Sequence, residues 1–117
     1  MKIRSITCFF HPDKIDDHSL ADLAMKAERL ADALDQAGWA VQSRRMATVP
    51  FGLYTTPDNA VDLITGLEKK AAQLGFDYLS AGPARLLHPQ DYALIPEVLA
   101  TTENIFMTGM MTHPHRG

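Results

Sequence analysis

Four short apolar segments constrain the fold of this 117-residue chain more than any other feature, because they alternate with stretches long enough for a helix. Each segment is rich in β-branched or aromatic residues and stops at Pro, Gly, Thr or His, as a strand that ends in a turn does. The strands that this pattern predicts are 2–10, 39–49, 76–81 and 104–111.

The stretch after the first predicted strand has the clearest helical pattern. From Leu20 to Leu34 its apolar residues follow the i, i+3, i+4, i+7 spacing of one buried helix face. Asp16 and Asp17 offer carboxylates that can cap the amino end, and Gly38 stands where a left-handed C-cap belongs. An amphipathic helix is therefore expected between the first two strands.

The second and third intervening stretches also predict helices. Thr56 and Pro57 have the composition of a helix start, with Thr56 as the cap and Pro57 at the first helical position. Gly75 is expected to end this helix. A shorter third helix is predicted over 92–100, where Pro96 requires a late start or a kink.

The resulting element order, βαβαβαβ, predicts a single α/β domain over residues 1–117. Connections of helical length favour right-handed crossovers, and hence a mostly parallel sheet with the helices packed on it. Short strands separated by two strong helices also permit a ferredoxin-like α+β fold with antiparallel pairs. Both architectures are compatible with the pattern.

Composition excludes several classes of protein. The net charge is −3 and no basic run could neutralise a series of phosphates, so no nucleic-acid partner is expected. No apolar stretch approaches the roughly 20 residues of a membrane helix, so no membrane partner is expected either. The single Cys8 cannot form an internal disulfide, which favours a reducing cytoplasm.

Polar and small residues follow every predicted strand. The carboxyl ends of parallel strands meet at one edge of a sheet, so these residues are expected to lie close together there. Hydroxyls, a carboxylate, imidazoles and backbone amides suit a small polar or anionic ligand, although turns use the same residue types for structural reasons. The residues are His11, Asp13, Thr48, Pro50, Ser80, Gly82, Thr112 and His113.

Three arginines add positive charge near these strands. Arg85 follows Gly82 closely and is the best single candidate for contact with an anion, since a guanidinium suits carboxylate or phosphate. A salt bridge from Arg85 to Asp91 or Glu97 is the structural alternative. Arg44 and Arg45 are adjacent, so they point to opposite faces of a strand, and one of them meets a covering helix or a partner subunit.

Motifs for cofactors and metals are weak or missing. The sequence contains no G-x-G-x-x-G, Walker-type loop, G-x-S-x-G or C-x-x-C, so no cofactor is expected. His113 and His115 could offer two imidazoles to a metal, with His11 or Asp13 as further ligands, but a flexible polar terminus is the favoured interpretation. Cys8 lies within an apolar strand and is expected to be a buried structural thiol.

Four segments together resemble the amino-terminal part of a bacterial and archaeal family, the domain of unknown function 711 (uncharacterised protein family 0210). Their order and spacing cover nearly the whole chain, although each alone would be a weak match. The segments are 3–10 (IRSITCFF), 45–51 (RMATVPF), 76–83 (FDYLSAGP) and 103–111 (ENIFMTGMM).

This resemblance implies an α/β barrel-like fold akin to the pyruvate formate-lyase-like superfamily, without an assigned reaction. Glycyl-radical chemistry is not implied, because the chain lacks the patterns for the thiyl Cys and the radical Gly. Family members are several times longer, which implies either a fragment of a larger fold or a short relative that closes its sheet by assembly. The two functional hypotheses are therefore a ligand-binding, enzyme-like domain and a non-catalytic homo-oligomer.

Overall fold

Strands and helices alternate along the whole of residues 2–109, the part of the chain that the computed structural model describes. A single 3₁₀ turn at Phe51–Leu53 follows the second strand in this range. The elements are β1 (Lys2–Phe10), α1 (Asp17–Gln36), β2 (Ala40–Pro50), α2 (Ala60–Gln73), β3 (Tyr78–Ala84), α3 (Pro89–Thr101) and β4 (Ile105–Gly109).

The four strands form one sheet in the order β1-β2-β3-β4, and all three pairings are parallel. This confirms the predicted α/β architecture with a parallel sheet. The ferredoxin-like alternative is wrong, because it requires antiparallel pairs. The reason is the length of the connections, since a helix between successive strands returns the chain to the same end of the sheet.

The hydrophobic core lies on one face of this sheet. Cys8, Met46, Leu79 and Ile105 are neighbours in register across the four strands, and each is at most 9% exposed. Right-handed crossovers between strands in sequential order bring every helix to the same side. The residues of the three α-helices in this core cluster are Leu20, Ala24, Ala27, Ala60, Ile64, Ala71, Leu94 and Val98.

The opposite face of the sheet is not covered by any helix of residues 2–109. Phe9 is 77% exposed there and Phe106 is 47% exposed, although both lie within strands. Strand alternation and register place one set of side chains together on this side of the sheet, which we call the open face. Its central members are Thr7, Phe9, Arg45, Ala47, Tyr78, Ser80 and Phe106.

Helix α1 begins and ends as its sequence predicts. Asp16 Oδ1 accepts a hydrogen bond from Ser19 N at 2.7 Å, which caps the amino end. Gly38 has φ +91°, the left-handed conformation expected after the last turn. No helix of residues 2–109, α1 included, is long and apolar enough to cross a membrane.

Helix α2 starts later than predicted. Thr56 and Pro57 lie in a turn, and the helix begins at Ala60 after Asn59. The backbone N–H of Thr56 donates to Asn59 Oδ1 at 2.7 Å and its carbonyl oxygen accepts from Asn59 N at 3.2 Å, so a closed turn precedes the helix. Asn59, and not Thr56 as predicted, therefore occupies the capping position. Gly75 ends α2 as expected, with φ +88°.

Strand β3 is longer than predicted, since it continues through Gly82 and Pro83 to Ala84. Glycine is needed in this strand because a Cβ at Gly82 would lie 2.3 Å from the carbonyl oxygen of Val49. Pro83 is accommodated where the pairing with both neighbouring strands is irregular, so its missing N–H costs no regular ladder bond. The backbone pairing, rather than local turn propensity, therefore decides where β3 ends.

We expect Gly82→Ala to destabilise the fold by about 1–3 kcal/mol, because its methyl group would overlap backbone atoms of β2. Gly66→Ala is the matched control. Its Cβ would meet nothing within 4 Å, and replacing a glycine within a helix stabilises by about 0.5–1 kcal/mol. Urea unfolding of the two variants measures both changes, and equal stabilities would contradict the close approach of β2 and β3.

Candidate functional site

The loops that follow β1, β2 and β3 meet at one edge of the sheet, which we call the carboxyl edge. His11 and Asp13 follow β1, Tyr54 lies just beyond the 3₁₀ turn after β2, and Arg85 follows β3. Contacts between their residues join these loops. This edge is therefore where the candidate residues predicted from the strand ends are expected to lie.

A buried hydrogen-bond chain joins the end of β2, the loop after it and the end of β3. Thr48 Oγ1 lies 2.7 Å from Tyr54 Oη and accepts a bond from Gly82 N at 2.9 Å. It also donates to the carbonyl oxygen of Val49 at 2.8 Å. One donor and two acceptor positions saturate a hydroxyl. The polar groups of Thr48 and Gly82 are therefore engaged within the protein and hold the edge together.

Tyr54 is the residue at this edge that sequence reasoning missed. Burial raises its pKa to about 12, the hydrogen bond with Thr48 partly opposes this shift, and the charge of Asp13 adds to it. The phenol is therefore neutral at physiological pH and acts as a hydrogen-bond donor or acceptor. A lone tyrosine in a loop has no sequence signal for such a role. Only the return of the loop onto Thr48 identifies it.

His11 lies beside Tyr54, with 6.4 Å between the ring centroids. The backbone N–H of Asp13 donates to His11 Nδ1 at 3.2 Å, so in the neutral ring this hydrogen bond assigns the proton to Nε2. The side chain of Asp13 is exposed. An imidazole N–H and a carboxylate therefore stand together at the surface of the carboxyl edge.

Arg85 is paired with Asp91, which is the structural alternative predicted for it. Arg85 Nε donates to Asp91 Oδ2 at 2.8 Å and Nη2 donates to Oδ1 at 3.3 Å. The Asp91 side chain is 3% exposed and that of Arg85 is 26% exposed. Glycine is required at position 52 beside this pair, because a Cβ there would lie 2.5 Å from Arg85 Nε. Much of the guanidinium is thus committed to an internal partner.

This ion pair shifts the pKa of both groups. Burial alone would raise the pKa of Asp91, but the side-chain and backbone hydrogen bonds from Arg85 outweigh burial and lower it. The pKa of Arg85 is raised, chiefly by the same hydrogen bonds. Both residues therefore remain charged across the physiological range, and the pair fixes the loop between β3 and α3.

That loop contains a second feature with no sequence signal. Leu87 has φ +67°, a left-handed conformation that is uncommon for residues other than glycine, and it is 81% exposed. With His88, Pro89 and Tyr92 it lines a shallow cavity of about 330 Å³. A leucine that is both exposed and held in a strained conformation is unusual, and it distinguishes this part of the carboxyl edge from an ordinary turn.

Ser80 lies on the open face, away from the loops of the carboxyl edge. In register it stands between Ala47 and Phe106, in the middle of the sheet. Arg45 is on the same face, and its neighbour Arg44 is on the other, as strand alternation predicts. The structure therefore separates Ser80 from the other predicted ligand-binding residues.

The residues considered for metal binding are only partly described. His113 and His115 lie outside the described residues. Within residues 2–109, no group of three or more His, Cys, Asp or Glu side chains could hold a metal ion. Cys8 is buried, which raises the pKa of its thiol, so it has the character of a core residue.

Comparison with known proteins identifies one family. Its model, described as "Uncharacterised ACR (DUF711)", matches residues 1–117, the whole chain. That description specifies neither a substrate nor a reaction. No curated protein matches the sequence.

We expect Asp91→Asn to lower the free energy of unfolding by about 2–3 kcal/mol at pH 7, because the Arg85 guanidinium loses a charged partner. Glu97→Gln is the matched control, since Glu97 is exposed on the same helix and should change stability little. Urea unfolding measures both variants. Equal effects would contradict a structural role for the ion pair.

The same pair predicts a dependence on pH. The pKa of Asp91 in the folded protein lies below its ordinary value of 3.8, so the unfolded chain takes up the proton first as the pH falls. The stabilisation is present above about pH 4 and is lost as the pH falls through the lowered value. The difference in stability between the wild type and Asp91→Asn should therefore narrow in acid.

Proposed function

Because this chain belongs to the DUF711 family, whose description includes no reaction, we propose its function from the geometry of its own residues: it binds a small polar or anionic ligand at the carboxyl edge, as part of an enzyme-like fold. One observation carries this proposal. The imidazole of His11 and the carboxylate of Asp13 stand at the surface, next to the hydrogen-bond chain of Tyr54, Thr48 and Gly82.

The rigidity of the edge supports binding rather than loop packing alone. Thr48, Gly82 and Tyr54 are held by buried hydrogen bonds, and the adjacent loop is held by the Arg85–Asp91 pair. A ligand site gains affinity when its supporting groups are ordered before the ligand arrives. Ser80 and Arg85 are expected to contribute less to ligand binding than their positions in the sequence predict.

The exposed groups define the chemistry of the ligand. His11 Nε2–H can donate a hydrogen bond, and the Asp13 carboxylate can accept one. Together they match a compound that carries both a carbonyl or anionic oxygen and a hydroxyl. Such a pair could also polarise a carbonyl, which is why we describe the fold as enzyme-like.

We also propose a cellular location, a superfamily and a class of partner for this protein. A cytoplasmic location is supported by the single buried Cys8, which is compatible with a reducing compartment. A fold akin to the pyruvate formate-lyase-like superfamily is supported by the sequential parallel strand order, which α/β barrels also use. The net charge of −3 supports a small molecule rather than nucleic acid as the partner.

We expect inorganic phosphate, citrate or ribose, screened at millimolar concentration, to raise the melting temperature by about 5 °C when one is present at ten times its Kd. His11→Ala should remove that increase, because the donor at the edge is lost. His18→Ala is the matched control, since it removes a different histidine, which is exposed on α1. Differential scanning fluorimetry measures the three proteins. The proposal fails if no compound shifts the wild type, or if both variants lose the shift equally.

A second candidate function is homo-oligomeric assembly that completes the sheet. The observation in its favour is that β4 pairs only with β3 within residues 2–109. Leu79 N donates to Asn104 O, so strand geometry points the N–H of Met107 away from β3. An unpaired edge of this kind can accept a strand from another copy.

If a second copy pairs with β4, Met107→Pro should reduce the assembly to a monomer of 12.9 kDa, because proline removes the outward donor without taking a bond from β3. Met107→Leu retains the N–H and a similar volume, and should assemble like the wild type. Light scattering at micromolar concentration measures the mass. A monomeric wild type would rule out this second function.

A further inference from the structure

Arg45 lies beside two aromatic rings on the open face. Its guanidinium carbon lies 5.7 Å from the centroid of Tyr78 and 5.4 Å from that of Phe106. The two rings are themselves 5.1 Å apart, tilted at 47°. Cation–π contacts of this kind restrict the guanidinium to one region and orient it. Arg45 is therefore a positioned cation rather than a solvated side chain.

This cation has no anionic partner in the described part of the chain. None of the salt bridges among residues 2–109 includes Arg45, and its Nε is buried without a hydrogen-bond partner. An unsatisfied buried donor is destabilising, and more so when the group is charged. An acceptor atom of a bound anion satisfies such a donor.

The surroundings of Arg45 are suited to an anion. The central residues of the open face include no acidic side chain, so no internal carboxylate competes for the guanidinium. Thr7 pairs with Arg45 in register and offers a hydroxyl, and Ser80 offers another on β3.

We propose that Arg45 binds the carboxylate of a small planar carboxylic acid on the open face, with Tyr78 and Phe106 contacting the body of that ligand. The planar guanidinium presents paired N–H donors that match the two oxygens of a carboxylate. The exposed ring of Phe106 and the half-buried ring of Tyr78 at the same place favour a flat, apolar body next to the charged group. The site therefore suits a ligand that has one negative charge and one planar apolar surface.

A carboxylate fits this site better than a phosphate. Arg45 is the single cation among the central residues of the open face, whereas a phosphate carries nearly two negative charges and three acceptor oxygens. Backbone N–H groups within strands are used in the ladders and cannot supply the missing donors. The ligand class that follows is a monocarboxylate.

This site is separate from the carboxyl edge. Arg45 precedes Thr48 by three residues along β2, which corresponds to about 10 Å. The inference goes beyond the proposed function because it uses none of His11, Asp13 or Tyr54. Each proposal can therefore fail without the other.

The test is calorimetric titration of the full chain with benzoate as the probe, and with acetate and inorganic phosphate as comparisons. We expect saturable benzoate binding with a millimolar Kd, and weaker binding of acetate and phosphate. Arg45→Met should weaken benzoate binding at least about tenfold, because a charged hydrogen-bonded contact is lost. Arg45→Lys retains the charge but loses the paired donors, and should give an intermediate loss.

Arg44→Met is the matched control, because it removes an equal charge from the adjacent position on the opposite face. It should bind benzoate like the wild type, as should His11→Ala. Circular dichroism of each variant establishes that the helices are retained. The inference is overturned if no saturable binding occurs up to about 20 mM benzoate. Equal losses in Arg44→Met and Arg45→Met, or phosphate binding as tight as benzoate, would overturn it too.

Discussion

The one-sided burial of a parallel sheet is the constraint on which the rest of this structure depends. Cys8, Met46, Leu79 and Ile105 form a continuous apolar row across the four strands, and every helix packs over that side. Burial of this row supplies the main driving force for folding, because apolar area removed from water contributes about 25 cal/mol per Å². The same arrangement leaves the other face of the sheet uncovered within residues 2–109.

Internal bonding at the carboxyl edge decides which of its groups can act on a ligand. The Thr48 hydroxyl and the Gly82 amide satisfy each other, and Arg85 is paired with Asp91. These groups therefore give the edge its rigidity. The half-buried imidazole of His11 and the exposed carboxylate of Asp13, in the loop after β1, are the groups that remain for a ligand.

Local sequence signals predicted the elements well where one physical effect dominates. The cap of α1 at Asp16 and its end at Gly38 are local properties and were confirmed. Of its predicted apolar stripe, Leu20, Ala24 and Ala27 are buried, whereas Leu30 is 49% exposed. The end of β3 was predicted wrongly, because Gly82 and Pro83 have turn propensity but are held in the strand by β2. In the candidate site, convergence of strand ends was predictable from topology, and Asp91 was one of two partners predicted for Arg85. Tyr54 and Leu87 carried no pattern.

The sequence by itself determined the element order and hence the parallel α/β sheet, because hydrophobic periodicity and connection length are written in short stretches of chain. It also determined that Arg44 and Arg45 occupy opposite faces, since alternation along a strand is local. Only the tertiary structure decided that Arg45 lies against both Tyr78 and Phe106, and that Arg85 is neutralised by Asp91. Contacts between strands and loops depend on register and on bond geometry in space, which no single segment encodes.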